Sequence, residues 1–186
     1  MRLLITGGCG FIGSNFVRFV LEHYQPEFVT NVDVLSYAGN PQNLADIPEK
    51  YGQQYEFYQS DIADRAALET ILEKHKFYAI VNFAAESHVD RSISEPANFI
   101  HTNVMGTEVL LELARKHGVK RFVQISTDEV YGSLGPEGSF TEQTPLDPSS
   151  PYSASKASAD LLALASFKTF GQEVLITRCS NNYGPY

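Results

Sequence analysis

Short apolar runs alternate with longer amphipathic stretches along the chain. Runs rich in β-branched residues predict buried parallel strands, and apolar residues at every third or fourth position predict helices that cover the sheet. The predicted strands are Leu3–Thr6, Phe28–Asp33, Glu56–Gln59, Ala79–Phe83, Phe122–Ser126 and Val174–Thr177. The predicted helices are Phe11–His23, Ala66–His75, Ala97–His117 and Tyr152–Phe170. This order predicts an α/β fold with a doubly wound parallel sheet, because right-handed crossovers close the sheet in that way.

Two features lie outside this alternation. The segment Gly132–Pro151 is rich in Gly, Pro, Ser and Thr and predicts a loop, and a loop of that length inside a compact domain usually has a function. The chain stops at Asn182–Tyr186, directly after the sixth strand and without a closing helix. We therefore expect a chain that ends before the rest of a longer protein.

Composition and charge restrict the class of function. Of the 186 residues 43% are apolar, which is enough for one substantial core. A formal net charge of −8 argues against nucleic acid as a partner. Too few apolar residues precede Thr6 for a signal sequence or a membrane span, so we expect a cytoplasmic protein with no membrane partner. Cys9 and Cys179 suggest neither a disulfide nor a metal site, and we expect both to be packing residues.

A glycine-rich turn separates the first strand from the first helix. Gly7, Gly8, Gly10 and Gly13 satisfy both the Gly-x-Gly-x-x-Gly and the Gly-x-x-Gly-x-x-Gly patterns. In this context the glycines permit a tight turn, let the backbone approach a pyrophosphate at the helix N-terminus, and allow close packing of helix on strand. The alternative is an ordinary tight turn. The pattern favours a dinucleotide-binding Rossmann fold.

Two carboxylates follow the second and third predicted strands. Asp33 lies 20 residues after Gly13, where a carboxylate binds both ribose hydroxyls of NAD and repels the 2′-phosphate of NADP. Its alternative role is to cap the following turn. Asp61 and Ile62 are placed to flank the adenine, but Asp61 is an equally good N-cap for the next helix.

The pair Tyr152 and Lys156 is the first candidate for catalysis. Residues four apart share one face of a helix. A neighbouring ammonium and a positive nicotinamide lower the pKa of a phenol from about 10, so that the phenolate can take a proton from a sugar hydroxyl. Taken alone, Tyr-x-x-x-Lys is also common in surface helices. Its position after the glycine turn favours the catalytic interpretation.

A second candidate is the segment Ser126–Glu129, directly after the fifth strand. Doubly wound folds bind ligands at this carboxyl edge of the sheet. Asp128 and Glu129 are adjacent, and chemistry that removes a proton from carbon and protonates a leaving hydroxyl needs one base and one acid. The alternative is a solvated acidic turn.

Several separate motifs resemble one family. They are Thr6–Gly13, Val32–Asn40, Phe83–Ser92, Ser126–Gly132, Tyr152–Lys156 and Asn181–Pro185. Together they resemble the extended short-chain dehydrogenases, and more narrowly the nucleotide-sugar 4,6-dehydratases that act on dTDP-glucose. The match spans essentially the whole chain.

The resemblance implies a reaction and a role for each catalytic residue. Tyr152, supported by Lys156, removes the C4 hydroxyl proton, Thr127 hydrogen-bonds that hydroxyl, and hydride passes from C4 to NAD. Glu129 then takes the C5 proton, Asp128 protonates the departing C6 hydroxyl, and hydride returns to C6. The product is a 4-keto-6-deoxy sugar, and the net reaction is that of a hydro-lyase.

The resemblance also implies two sets of binding residues. The cofactor set is Gly7, Gly10, Phe11, Ile12, Gly13, Asp33, Ser36, Asp61, Ile62, Ala84, Tyr152 and Lys156. The substrate set is Ser87, His88, Thr127 and Asn181. His88 has the alternative of a purely local hydrogen-bonding role. Asn103, an unfavourable residue inside a helix, predicts a tertiary hydrogen bond to a loop near the active site.

We expect residues 1–186 to form an NAD-binding Rossmann domain that carries the catalytic residues but lacks most of the substrate-binding domain. Such a chain binds NAD and turns over poorly. The resemblance implies a homodimer in the full-length form, with the two longest helices packed against their symmetry mates. Two alternatives stay open, an NAD-dependent 4-epimerase or decarboxylase and a catalytically silent NAD-binding module. Asp128 and Glu129 argue against an epimerase, which needs neither carboxylate.

Overall fold

The computed structural model describes residues 1–186, and its centre is one sheet of six parallel strands. The strands are β1 (Arg2–Thr6), β2 (Phe28–Asp33), β3 (Tyr55–Gln59), β4 (Ala79–Asn82), β5 (Arg121–Thr127) and β6 (Glu173–Cys179). They lie in the order β3-β2-β1-β4-β5-β6, and every pair is parallel. The predicted doubly wound sheet is confirmed, and no strand end differs from the predicted one by more than two residues.

Seven α-helices connect the strands. They are α1 (Phe11–His23), α2 (Ile47–Tyr51), α3 (Arg65–Lys74), α4 (Val89–Ser94), α5 (Pro96–Phe99), α6 (Thr107–Lys116) and α7 (Pro151–Phe170). The predicted helix Ala97–His117 is wrong in one respect, because a π-helical segment, Ile100–Gly106, separates α5 from α6. The helices α2 and α4 and two 3₁₀ turns, Pro41–Leu44 and Asp128–Tyr131, were not predicted, since segments of four to six residues are too short to show a period.

The sheet separates two apolar cores. Successive residues of β1 point to opposite faces, so Leu4 joins one core whereas Leu3 and Ile5 join the other. The first core lies under α3 and α6, and the second lies under α1. The chain reverses its direction of winding at β1, whose two neighbours are β2 and β4. Ligands of doubly wound folds bind at this switch point, beyond the carboxyl ends of the strands.

The longest helix, α7, begins and ends at strong signals. Ser150 and Ser153 form a reciprocal capping box, Pro151 occupies the first turn, and Gly171 ends the helix in the left-handed region at φ 69°. The predicted loop is confirmed for residues 132–150, whereas Pro151 belongs to the helix. These signals fix the first residue of the helix, and therefore the position of Tyr152 relative to the sheet.

The apolar residues of α6 and α7 have different surroundings. Val109, Leu110, Leu111 and Leu113 of α6 are all buried within this chain. On α7, Leu161, Leu164, Phe167 and Phe170 are exposed instead, with 37 to 57% of each residue accessible to solvent. An outward apolar stripe is thus present on α7.

None of the helices combines the length and the apolar character that crossing a membrane requires.

Candidate active site

A cleft of about 270 Å³ opens beyond the carboxyl ends of β1, β2, β4 and β5. All twelve residues predicted for the cofactor line it, and so does Ser87 from the substrate set. The other lining residues were not among the predicted cofactor or substrate residues; they are Val34, Ala38, Gly39, Ser60, Phe83, Ala85, Glu86, Thr102, Ile125 and Ser126. Of these, Phe83 and Ser126 lay at the ends of predicted strands, a position that could have marked them.

The glycine turn owes most of its glycines to the packing of the chain itself. Gly7 has φ +70°, and a Cβ there would lie 2.5 Å from the backbone nitrogen of Ala84. A Cβ on Gly13 would lie 2.2 Å from the carbonyl oxygen of Gly7, so only glycine lets α1 approach β1 this closely. Gly8 is pressed against Asn31, whose side-chain oxygen accepts its N–H at 3.1 Å.

Gly10 differs from the other glycines of the turn. It has φ −76° and ψ 175°, a conformation open to any residue, and the nearest atoms to an added Cβ are 3.4 and 4.0 Å away. No side chain caps α1, and its first turn has no acidic residue. The first N–H groups of a helix have no partner within it and bind anions readily. The turn therefore fits a pyrophosphate group.

Asp33 links the glycine turn to the loop after β2. Its Oδ2 accepts the N–H of Cys9 at 2.9 Å, and its Oδ1 accepts the N–H of Leu35 at 2.8 Å. The predicted capping of the following turn is thus present. Each carboxylate oxygen has a second lone pair, so the same side chain still fits a ribose diol.

Asp61 is not the N-cap of α3. That position belongs to Asp64, whose side chain accepts the N–H of Ala67 at 3.1 Å. Asp61 instead accepts the N–H of Ala63 at 2.8 Å and faces His101 at 2.9 Å, while it lines the cleft. The cap interpretation is wrong because Asp64, three residues further on, is the residue directly before the helix.

Tyr152 and Lys156 both enter the cleft from α7. The Nζ of Lys156 donates to the carbonyl oxygen of Ile125 at 2.6 Å, and burial lowers the pKa of Lys156 to about 8. Burial raises the pKa of Tyr152 to about 12, against a smaller opposing effect of the Thr127 hydroxyl. The expected lowering of the phenol pKa is therefore not produced by the protein groups, because desolvation outweighs the effect of the Thr127 hydroxyl.

The carboxylate pair forms a short 3₁₀ turn directly after β5. Thr127 caps this turn: its hydroxyl accepts the N–H of Glu129 at 3.2 Å and donates to Oδ1 of Asp128 at 3.3 Å. Partial desolvation and the charge of Asp128 raise the pKa of Glu129. These three residues lie beside the cleft rather than in its lining, next to Ser126, which does line it.

A buried ion pair behind the site was not found from the sequence. Arg178 donates from Nε to Oδ2 of Asp160 at 2.8 Å and from Nη1 to the hydroxyl of Tyr131 at 2.7 Å. Asp160 is fully buried, one helical turn after Lys156. The ion pair therefore connects β6 and α7 to the turn that bears the carboxylates. A sequence signal existed in the four-residue spacing from Lys156 to an Asp, but its partner is remote in the chain.

The predicted hydrogen bond of Asn103 is confirmed. Asn103 exchanges two hydrogen bonds with the backbone of Glu86, at 2.8 and 2.9 Å, and donates to the hydroxyl of Ser155 at 2.8 Å. It thereby joins the loop after β4 to α7.

His88 and Asn181 are exposed, and neither is among the residues that line the cleft. Cys9 is buried and Cys179 is half-buried, and both are free thiols.

The doubly wound fold, the glycine turn and the Tyr-x-x-x-Lys helix define a member of the short-chain dehydrogenase class. The chain belongs to the family described as GDP-mannose 4,6 dehydratase, whose sequence model matches residues 4–186. The dTDP-glucose 4,6-dehydratase of Streptomyces niveus is 53% identical over 190 aligned residues, which cover the whole chain and 55% of that protein. That of Escherichia coli is 49% identical over 204 aligned residues, with 56% of it covered.

Solved structures of nucleotide-sugar enzymes are also similar to the chain. The dTDP-glucose 4,6-dehydratase of Streptomyces venezuelae, crystallised with NAD, superposes on the whole chain with a TM-score of 0.94 at 52% identity. The UDP-glucose 4-epimerase of Thermotoga maritima superposes with a TM-score of 0.89 at 34% identity. The chain covers 57% of each of these two structures. It therefore spans little more than half the length of the proteins it matches.

Proposed function

We propose that residues 1–186 form the NAD-binding domain of a dTDP-glucose 4,6-dehydratase and carry its catalytic residues. The observation that supports this best is a single cleft that is lined both by Asp33 and the glycine turn and by Tyr152 and Lys156 of α7. The adjacent acid pair Asp128 and Glu129 directly follows β5, the strand whose Ile125 binds Lys156. The similarity to several dTDP-glucose 4,6-dehydratases at about half identical positions supports the same function.

NAD is the cofactor we propose, and when bound it supplies the acceptor and donor of hydride. The open face at Gly10 and the uncapped start of α1 suit its pyrophosphate, and Asp33 suits the adenosine ribose. A buried carboxylate at this place repels a 2′-phosphate, so NAD is preferred over NADP. Asp61 and Ile62 line the cleft beyond β3 and are the residues that we propose to flank the adenine.

Tyr152 is the base that we propose for the C4 hydroxyl. With a pKa of about 12 its phenol is protonated at neutral pH, so proton transfer requires added positive charge next to it. Lys156 is a cation below a pH of about 8 and is held in place by Ile125. The Thr127 hydroxyl, fixed by the turn it caps, has a lone pair left for the substrate hydroxyl.

Asp128 and Glu129 divide the elimination between them. The raised pKa of Glu129 makes its carboxylate a better proton acceptor than an ordinary glutamate, which suits removal of the weakly acidic C5 proton. Asp128 then protonates the C6 hydroxyl as it leaves. An epimerase has no step that uses this pair, so the two residues distinguish the dehydratase from the 4-epimerase on the same fold.

The test follows a deuterium label through the reaction. The substrate is dTDP-glucose deuterated at C4, given with NAD to the chain alone and to a chimera in which the carboxyl-terminal part of the Streptomyces niveus relative follows residue 186. We expect little turnover by the chain, and a 4-keto-6-deoxy product from the chimera with deuterium in its C6 methyl group. Asp128→Asn and Glu129→Gln should each abolish it. A chimera that binds NAD but leaves the label at C4 would contradict the proposal.

We also propose a homodimer in the full-length protein. The apolar stripe of Leu161, Leu164 and Phe167 on α7 supports it, since these side chains are exposed in the single chain. The α6 residues Val109, Leu110, Leu111 and Leu113 are already buried and do not contribute. Sedimentation of the chimera should give a dimer, and Leu164→Glu should convert it to a monomer that still binds NAD.

A further inference from the structure

Tyr37 connects two loops that are far apart in the chain. It lies in the loop after β2, and its hydroxyl oxygen accepts the N–H of Ser87 at 3.3 Å and lies 3.4 Å from the Ser87 hydroxyl. The guanidinium of Arg91 lies 4.5 Å from the centre of the Tyr37 ring, and His88 packs edge-on against it. We call the residues Tyr37, Ser87, His88 and Arg91 the Tyr37 bridge.

The topology places the Tyr37 bridge in front of the glycine turn. The strands β2 and β4 are not neighbours, because β1 lies between them. Their carboxyl ends are therefore about 10 Å apart, at roughly 4.8 Å for each strand spacing. A contact between their loops must cross beyond the end of β1, where the glycine turn begins. Ser36 and Ala38 line the cleft on one side of this crossing, and Glu86 and Ser87 line it on the other.

The Tyr37 bridge is built to open without unfolding the loop that carries it. Tyr37 is 49% exposed, and both of its polar contacts with Ser87 are long. The far end of the same loop is anchored more firmly, because the carbonyl oxygen of Cys9 accepts the N–H of Asn40 at 3.0 Å and the side-chain amide of Asn43 at 3.1 Å. Opening therefore needs only the tip of the loop to move.

We infer that the Tyr37 bridge retains NAD by obstructing both its entry into the cleft and its exit. The inference rests on the proposed NAD site. A side chain that merely touched the bound cofactor would slow its exit alone. An obstruction across the mouth slows both directions, and this difference makes the inference testable.

The experiment measures association and dissociation rates of NADH by its fluorescence in stopped flow. Tyr37→Ala should raise both rate constants about three- to tenfold, with little change in Kd, since a hydrogen bond and a cation–π contact are lost together. Tyr37→Phe and Arg91→Gln should each give a smaller increase in both. Tyr24→Ala is the matched control, because Tyr24 is an exposed tyrosine that follows α1 and does not line the cleft.

Two results for the variants would overturn the inference. A rise in the dissociation rate alone would show that Tyr37 acts by direct contact with the cofactor. Unchanged rates in Tyr37→Ala would show that the Tyr37 bridge obstructs nothing. A wild-type chain that binds no NADH would contradict the cofactor site itself and the inference with it, so the two failures are distinguishable. Thermal unfolding of each variant verifies that the fold is intact.

Discussion

The ammonium group of Lys156 donates a 2.6 Å hydrogen bond to the carbonyl oxygen of Ile125, the last residue but two of β5. The side chain is almost completely buried, with 4% of the residue exposed. The contact ties the second turn of α7 to the strand that precedes the carboxylate pair. It keeps a cation in the lining of the cleft, and the desolvation of that cation costs free energy. This cost is measurable as a pH dependence of the free energy of unfolding.

The pH dependence of stability should report the buried Lys156. Burial lowers its pKa from 10.5 to about 8 in the folded protein. Between these two pH values the unfolded chain binds more protons than the folded one, so the free energy of unfolding rises with pH. Relative to Lys156→Met, which cannot titrate, the wild type should gain roughly 2 to 3 kcal/mol between pH 8 and pH 10.5. Urea unfolding of both proteins over that range measures the difference, and a constant difference would contradict the burial of a charged Lys156.

Two alanine substitutions in the glycine turn should separate folding from binding. Gly13→Ala places a Cβ 2.2 Å from the carbonyl oxygen of Gly7, and neither backbone segment can move away. We expect a loss of at least about 2 kcal/mol in the free energy of unfolding. Gly10→Ala meets no atom nearer than 3.4 Å and needs no change of φ, so its stability should change by less than about 1 kcal/mol.

Gly10→Ala, which should change stability little, should have a large effect on NAD binding. Its added methyl group lies on the open face where the pyrophosphate is proposed to approach, so NAD affinity should fall about tenfold or more. Urea unfolding and NAD titration of the same two preparations measure both effects. If Gly10→Ala bound NAD as tightly as the wild type, the pyrophosphate would have to lie elsewhere.

The ion pair between Asp160 and Arg178 should be the most costly polar contact to break. Asp160→Asn leaves the largely buried guanidinium of Arg178 without its counter-charge, and we expect a loss of about 3 kcal/mol or more. Tyr131→Phe removes only the 2.7 Å hydrogen bond to the same guanidinium and should cost about 1 kcal/mol. Denaturation of the two variants side by side tests this. Equal losses would mean that the charge of Asp160 contributes nothing beyond an ordinary hydrogen bond.

The parts of the fold that were predictable follow from local pattern. Buried parallel strands such as β1 and β4 contain continuous apolar runs, residues 3–5 and 79–81, and α1 is a regular amphipathic helix between a glycine turn and a polar loop. The π-helical segment Ile100–Gly106 was not predictable, because the apolar period continues across it. What distinguishes it is tertiary, since Asn103 bonds there to Glu86 and Ser155.

In the candidate site, too, the features marked by local sequence were predictable and those that depend on residues remote in the chain were not. The convergence of the cofactor set on one cleft was predictable because the glycine turn, Asp33 and Tyr152 lie at strand ends and helix starts, which the sequence marks. Their roles toward NAD stay predictions. The pKa of Tyr152 was not predictable, since its direction depends on burial by residues remote in the chain. The pairing of Asp160 with Arg178 was missed for the same reason, as 18 residues separate the two. The roles of the substrate set, including Asn181, stay predictions.

The most direct test of the account is a calorimetric titration of the chain with NAD and with NADP, on the wild type and on Asp33→Asn. The buried carboxylate of Asp33 faces the cleft between the glycine turn and Leu35. We predict that the wild type binds one NAD per chain, binds NADP at least about tenfold more weakly, and loses most of this preference in the variant. Absence of NAD binding, or equal affinity for the two cofactors in the wild type, would contradict the account.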